Sequence, residues 1–160
     1  MVKIGNTSIM AQSLSKLTIH IIFHVKLNSV EIRDKDKQRL YAYIGSVIKS
    51  NESIPILING TSDHVHISCV MSKNIALAKL VENIKRHSSR WIKTLDNYYA
   101  SFAWQGGYGG FSVSPTLQDN TKRYIENQEE HHRIRSFNEE YLLILDESGI
   151  DYNEEYLWID

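Results

Sequence analysis

The sequence predicts an α+β fold of the ferredoxin-like, split βαβ type, with helices on one face of an antiparallel sheet. Two observations support this prediction. Strand-like and helix-like segments alternate along the chain, and 160 residues with 42% hydrophobic content suit one compact domain. We take residues 1–160 as a single domain, with a core over about 17–137, a C-terminal helix beyond the sheet, and an acidic tail over 138–160.

The first four elements follow from their residue patterns. Ile, Val and Phe dominate residues 17–27, which indicates a buried strand. Apolar residues then recur at helical spacing from position 34 to about 49. Residues 54–59 and 64–71 predict two further strands joined by a turn.

The second half of the chain predicts two longer helices. One apolar stripe repeats every three or four residues from about 74 to 97 and indicates the clearest helix. Short strands are predicted at 101–104 and 110–114, on either side of a glycine-rich segment whose glycines allow positive φ and a mobile connection. A last helix is expected from 114 to about 135, then a short helix and an extended end. We expect one face of the sheet to be open.

Charge is unevenly distributed along the chain. Residues 139–160 hold eight acidic residues and no Lys or Arg, so the first 138 carry all 18 basic residues against 11 acidic ones, a net of +7. A basic body suits a polyanionic partner, although a solvated surface with an acidic tail explains the pattern equally well.

Compartment and membrane association follow from composition. A single cysteine, Cys69, fits a reducing compartment. No apolar run approaches the roughly 20 residues that span a bilayer, and the N-terminus has no signal-peptide pattern. We therefore expect a cytoplasmic protein without a membrane segment.

The clearest candidate metal ligands are His64 and His66. Residues two apart on a strand point to one face, so both imidazoles can bind a single cation. Asp63 could orient one of these rings. A pair of surface histidines is the alternative, and this spacing alone does not exclude it.

Tyr124 and Gln128 are four residues apart, which places them on one face of the predicted last helix. A tyrosine can attack phosphorus to form a reversible ester, and a nearby cation can activate it. The amide oxygen of Gln128 is an acceptable ligand for Mg²⁺ or Mn²⁺. The alternative is a partly buried aromatic beside a solvent-facing amide. We assign no metal to four other histidines: His20, His24, His131 and His132.

Basic side chains lie on two of the predicted helices and could follow a phosphate backbone. A solvated helix face is the alternative. The candidate DNA-binding residues are Lys85, Arg86, Arg90 and Lys93 on the long helix, and Lys122 and Arg123 beside Tyr124.

Three segments, DHVHI, WQGGYGGFSVS and YIENQEEHH, together resemble the HUH single-tyrosine transposases of insertion sequences that move as single-stranded DNA. These are IS200-like enzymes, and REP-associated tyrosine transposases are near relatives. The resemblance runs from about Leu17 to about Phe137. It implies that His64, His66 and Gln128 hold Mg²⁺ or Mn²⁺ and that Tyr124 attacks DNA, leaving a 5′-phosphotyrosine link and a free 3′-OH.

The resemblance also implies a partner and an assembly. Such enzymes bind single-stranded DNA hairpins at element ends, so a nucleoid-associated location is expected. They are typically homodimers in which the tyrosine helix of one subunit completes the site of the other.

Three alternatives stay open. One is a domesticated REP-associated nuclease that cuts a chromosomal repeat hairpin, and another is a non-catalytic nucleic-acid-binding module with the same fold. The third is a hydrolytic metalloenzyme, for which the sequence supplies no clear third imidazole or carboxylate.

Overall fold

The computed structural model describes residues 11–159; residues 1–10 and Asp160, which we assigned to the domain, lie outside the described residues. The elements in chain order are β1 (Leu17–His24), α1 (Asp34–Ser50), β2 (Ile54–Gly60), β3 (His64–Met71), α2 (Leu77–Ile92), β4 (Gly109–Ser112), α3 (Gln118–Glu126), α4 (Gln128–Ile134), α5 (Phe137–Glu147) and α6 (Glu154–Leu157). Short 3₁₀ turns occupy Asn97–Tyr99 and Pro115–Leu117.

The four strands form one antiparallel sheet in the order β2-β3-β1-β4. This order, with β3 between β1 and β2, is the predicted split βαβ arrangement. The strand predicted at 101–104 is absent: Trp104 makes a single bridge to Val25. The two rings of this segment, Phe102 and Trp104, pack edge to face in the core, 5.0 Å apart.

One face of the sheet carries the main hydrophobic core. Alternate residues of β1 and β3, such as Phe23 and Ile67, are fully buried beneath α1 and α2. The predicted bounds of α1, from 34 to about 49, are confirmed. Its apolar residues recur at helical spacing and face the sheet. The second helix is shorter than its predicted span of 74–97: it ends at Ile92, and the chain turns before the 3₁₀ segment.

The other face of the sheet is covered by helices α3, α4 and α5, although we expected it to be open. Ile22 of β1 packs there against Phe137, Tyr141 and Leu145 of α5. That helix begins with a capping box between Ser136 and Glu139. Much of the predicted acidic tail is therefore a helix packed on the sheet.

The predicted last helix is broken at Asn127, whose backbone (φ −96°, ψ 23°) departs from helical values. The side-chain amide of Asn59, at the end of β2, donates to the carbonyls of Ile125 (2.9 Å) and Glu126 (3.2 Å). In a continuous helix those carbonyls would accept bonds from amides four residues later. Asn59 therefore anchors the break to the sheet. Within residues 11–159, no helix is both long and apolar enough to cross a bilayer.

Candidate active site

The alternation of β3 buries two histidines on the sheet face opposite the main core. His64 and His66 are completely buried, and their ring centroids lie 5.2 Å apart. The antiparallel register with β1 places His24 opposite His64 and His20 opposite Ser68, so histidines from both central strands share this face. The surface-pair alternative is therefore wrong.

Each of the two β3 histidines has a polar neighbour at its Nδ1 atom. For His64 it is Asp63, whose Oδ1 lies 2.7 Å away; Thr61 Oγ1 lies 2.8 Å away. For His66 it is Nε2 of His20, at 2.9 Å. This network fits rings that donate Nδ1–H outward and present a lone pair on Nε2 inward, the arrangement common in metal-bound histidines.

The structure brings the predicted residues of the last helix to these histidines. Gln128 is fully buried, with its Oε1 3.2 Å from His64 Nε2. The Tyr124 ring is half-buried, 5.9 Å from the ring of His66, and stacks on His131 at 4.9 Å. Tyr124 ends up in α3 and Gln128 in α4, but both reach the same site within one chain.

Two residues that the sequence reasoning did not assign also enter the site. The carboxylate of Glu140 in α5 lies 3.0 Å from His66 Nε2 and 2.7 Å from His132 Nε2. The ligand atoms of His64, His66, His132 and Glu140 all fall within 4.8 Å of one another. The sequence assigned no metal to His132, and Glu140 belongs to the predicted acidic tail.

The contacts around Glu140 are close but poorly directed. Its two oxygens and the Nε2 atoms of His66 and His132 are buried and make no hydrogen bond of acceptable geometry. Buried polar atoms are normally satisfied, so a group of them facing one another requires an explanation. Imidazole and carboxylate donors grouped in this way fit a divalent cation.

Burial controls the protonation of the histidines. It lowers the pKa of His20 to about 3, and it lowers the pKa of His66 despite the opposing contact with Glu140. Both imidazoles are therefore neutral near pH 7, the form that binds a metal. Burial would raise the pKa of Glu140, but the adjoining His132 and His66 imidazoles hold it well below its usual range.

Burial also acts on the candidate nucleophile. It raises the pKa of the Tyr124 phenol well above its usual range, and contact with the Glu140 carboxylate raises it further. The resting side chain is thus a neutral phenol. Attack on phosphorus would require an acceptor for its proton and charge stabilisation at the site.

An open cleft of about 730 Å³ borders the phenol of Tyr124. Its walls include His20 and Phe111 from the sheet, Thr121 from α3 and Ile144 from α5. The volume lies within the range of roughly 300–1,000 Å³ typical of ligand pockets. A substrate segment can therefore approach Tyr124 from this side.

The predicted DNA-binding residues separate into three groups. Arg86 and Arg90 are exposed on α2, and Lys93 directly after it; this helix packs against the sheet face opposite the histidines. Lys85 does not fit a phosphate contact, because its Nζ turns inward to the carbonyls of Gln105 (2.9 Å) and Gly107. Two more are exposed beside the nucleophile: Lys122 and Arg123.

The glycine-rich segment is closely packed only at Gly109 and Gly110, whereas Gly106 and Gly107 are exposed. None of its glycines has positive φ. A Cβ at Gly109 would lie 2.8 Å from the Tyr141 ring, and one at Gly110 would lie 2.7 Å from Leu77. Gly109 permits α5 to approach β4 closely, and Gly110 does the same for the start of α2, so here glycine serves packing.

Comparisons with known proteins give a family and two similar folds. The family described as "Transposase IS200 like" matches residues 13–128. The chain is similar in structure to a candidate transposase from Deinococcus radiodurans R1, with a TM-score of 0.57 and 20% identity over 74% of this chain and 98% of that one.

A second similar structure is a REP-associated tyrosine transposase bound to a REP hairpin. Its TM-score is 0.52 at 10% identity, over 77% of this chain and 71% of that one. At these identities the likeness shows a shared fold. No curated protein matches the chain.

Proposed function

The chain belongs to the IS200-like transposase family, and from that premise we propose that it cuts and rejoins single-stranded DNA with Tyr124 as nucleophile. The family makes it a DNA-cleaving transposase. The observation that best supports the finer mechanism is the convergence of Tyr124, Gln128 and the two β3 histidines in one buried site.

In the proposed cleavage step, Tyr124 Oη attacks the scissile phosphorus. The Oη–P bond forms as the P–O3′ bond breaks, and the phenol loses its proton while the departing 3′ oxygen gains one. The products are a 5′-phosphotyrosine link and a free 3′-OH. Attack by another 3′-OH reverses the exchange and joins new ends, so each ester replaces another of similar energy.

The roles of the surrounding residues follow from their positions. His64 and His66, with Gln128, would hold Mg²⁺ or Mn²⁺; when bound, such a cation supplies positive charge for the scissile phosphate. Asp63 and His20 would hold the two imidazoles in orientation. Of the exposed basic residues, Lys122 and Arg123 are best placed to hold the flanking phosphates.

We propose a single-stranded DNA hairpin as the substrate, acted on in the cytoplasm at the nucleoid. The similar REP-associated transposase was solved with a REP hairpin, and the described part of this chain carries basic side chains beside Tyr124. A domesticated nuclease of chromosomal repeats is the close alternative. The genomic neighbourhood separates the two, since a mobile element carries its own hairpin-bearing ends around the gene.

The test is incubation of the full chain with a labelled hairpin strand and Mn²⁺, followed by denaturing electrophoresis. We expect a covalent protein–DNA band that Tyr124→Phe abolishes and His64→Ala greatly reduces. Tyr156→Phe, which alters an exposed tyrosine of α6, is the matched control and should keep the band. A Tyr124→Phe protein that still forms the adduct would overturn the mechanism, and a wild-type chain that binds but never cuts would indicate a non-catalytic module.

A homodimer with shared sites stays a prediction of the family resemblance. In the described chain, Gln128 already reaches His64 of the same chain, which supports completion within one subunit. Mixing Tyr124→Phe with His64→Ala distinguishes the two arrangements. Only sites shared between subunits would restore the covalent band in the mixture.

Metal-dependent hydrolysis is the second candidate function. The sequence offered no third imidazole or carboxylate for it, but His132 and Glu140 lie beside the β3 histidines. A metal-activated water would cut DNA without a covalent intermediate. In that case Tyr124→Phe would still produce nicked strands, and no covalent band would form with the wild type.

A further inference from the structure

We propose that His132 and Glu140 are metal ligands together with His64 and His66, so that one chain builds a site of three imidazoles and a carboxylate. This inference rests on the proposed function in placing the cation at the β3 histidines. It adds two ligands from the C-terminal helices and predicts the class of cation that the site selects.

The first support is the convergence of ligand atoms from three separate elements. Strand β3 supplies His64 and His66, α4 supplies His132, and α5 supplies Glu140, with all candidate ligand atoms within 4.8 Å of one another. The four residues are well shielded from solvent, and both histidines of β3 have no exposed surface.

The second support is the unsatisfied state of the inward-facing atoms. Nε2 of His66 is completely buried and, like Nε2 of His132 and both Glu140 oxygens, lacks a hydrogen bond of acceptable geometry. Both β3 rings already have neighbours at Nδ1, so their Nε2 lone pairs face the cluster. Such atoms repel one another unless a cation or protons lie between them.

The third support is the setting of Glu140 on its helix. Its neighbours on the buried face of α5 are apolar: Phe137, Tyr141 and Leu145. An ionised carboxylate on such a face is unfavourable unless it is paired or coordinates a metal.

The donor set indicates which cations bind. Mg²⁺ prefers an octahedral shell of oxygen ligands and retains several waters. Three imidazole nitrogens and one carboxylate, together with the amide oxygen of Gln128, suit divalent transition ions such as Mn²⁺, Co²⁺ and Zn²⁺. We therefore expect Mn²⁺ to bind much more tightly than Mg²⁺.

The test measures cation binding by the full chain without DNA. Chelator-stripped protein is titrated with Mn²⁺, and free Mn²⁺ is followed by electron paramagnetic resonance. We expect one Mn²⁺ per chain, retained in a large excess of Mg²⁺. Glu140→Gln and His132→Asn should each weaken Mn²⁺ binding by at least about tenfold, comparable with the loss from disturbing a ligand's support.

Matched controls use residues of the same type outside the cluster: Glu139 beside Glu140, and His87 of α2 on the opposite face of the sheet. Glu139→Gln removes the adjacent exposed carboxylate and keeps a side chain that a capping box accepts, so Mn²⁺ affinity should not change. His87→Asn is the control for His132→Asn. Circular dichroism in chelator verifies folding, and the visible spectrum of bound Co²⁺ should differ between wild type and Glu140→Gln as a ligand is lost.

Two results would overturn the inference. If Glu140→Gln and His132→Asn bind Mn²⁺ like the wild type while His64→Ala does not, the cation site of the proposed function stands and its two added ligands are refuted. If the wild-type chain binds no divalent cation at all, the metal-assisted part of the proposed function fails as well.

Discussion

Nε2 of His20 lies 2.9 Å from Nδ1 of His66, and the two rings stack with centroids 5.1 Å apart. The two residues come from neighbouring antiparallel strands, where they are diagonal partners on one face. His20 is thus the group that orients His66. It does not reach the cluster of candidate ligand atoms.

Replacing His20 should therefore weaken cation binding without removing a ligand. In His20→Phe the ring volume remains but the hydrogen-bond partner of His66 is lost. We expect Mn²⁺ affinity to fall by roughly 10–100-fold, the usual cost of losing such support. The measurement is the Mn²⁺ titration described above.

A conservative variant separates orientation from packing in this prediction. His20→Gln offers an amide oxygen that can accept from His66 Nδ1, so it should recover part of the affinity. Unchanged Mn²⁺ binding in His20→Phe would show that the contact does not position His66.

The buried hydrogen bond of the Trp104 indole should contribute measurably to the free energy of unfolding. Its Nε1 donates to Ser88 Oγ at 2.9 Å, and both residues are buried. Ser88→Ala leaves the indole N–H without an acceptor, which should cost about 1–3 kcal/mol of unfolding free energy. Urea unfolding followed by circular dichroism measures the cost.

The same substitution made in a Trp104→Phe background tests the cause. Phenylalanine has no N–H to satisfy, so the cost of Ser88→Ala should be smaller there. Equal costs in both backgrounds would attribute the loss to Ser88 packing or its bond to Ile84.

Cys69 should be inert in the native protein. The residue is completely buried in β3, and burial raises the pKa of its thiol to about 12. The thiolate is the reactive form, so at pH 8 a disulfide reagent should label it only after the sheet opens. Labelling in urea provides the positive control, and rapid stoichiometric labelling of the native chain would contradict the placement of Cys69.

The salt dependence of DNA binding should distinguish Arg123 from Lys85. Arg123 is exposed beside Tyr124, whereas the Lys85 ammonium is bound to loop carbonyls. The logarithm of the binding constant falls with the logarithm of the salt concentration, and each lost phosphate contact reduces the steepness of this slope by about 0.7–0.9. Arg123→Gln should therefore make the slope shallower, and Lys85→Gln should leave it unchanged.

Anisotropy of a labelled hairpin measures both slopes, with Tyr124→Phe as the common background so that no strand is cut. A reduced slope in Lys85→Gln with an unchanged one in Arg123→Gln would reverse our assignment of the DNA-binding face.

The fold was largely predictable because periodicity and burial agree in its central elements. Strand β3 has its predicted bounds, and the alternation of His64, Val65 and His66 correctly separates site from core. The break at Asn127 was not predictable, since it depends on a side chain of β2 that is distant in sequence.

Helix α5 shows what local sequence patterns can predict and what they cannot. Ser136 and Glu139 form a capping-box signature, and Phe137, Tyr141 and Leu145 are spaced by four, so the short helix predicted after residue 135 is confirmed as α5. The inward position of Glu140 could not, because a charged residue on a helix is ordinarily assigned to solvent.

The eight residues of strand β3 alternate between the two faces of the sheet. Val65, Ile67 and Cys69 face the main core, and His64 and His66 face the candidate site. The same interleaving forbids small insertions, because a one-residue slip would exchange the two sets at once.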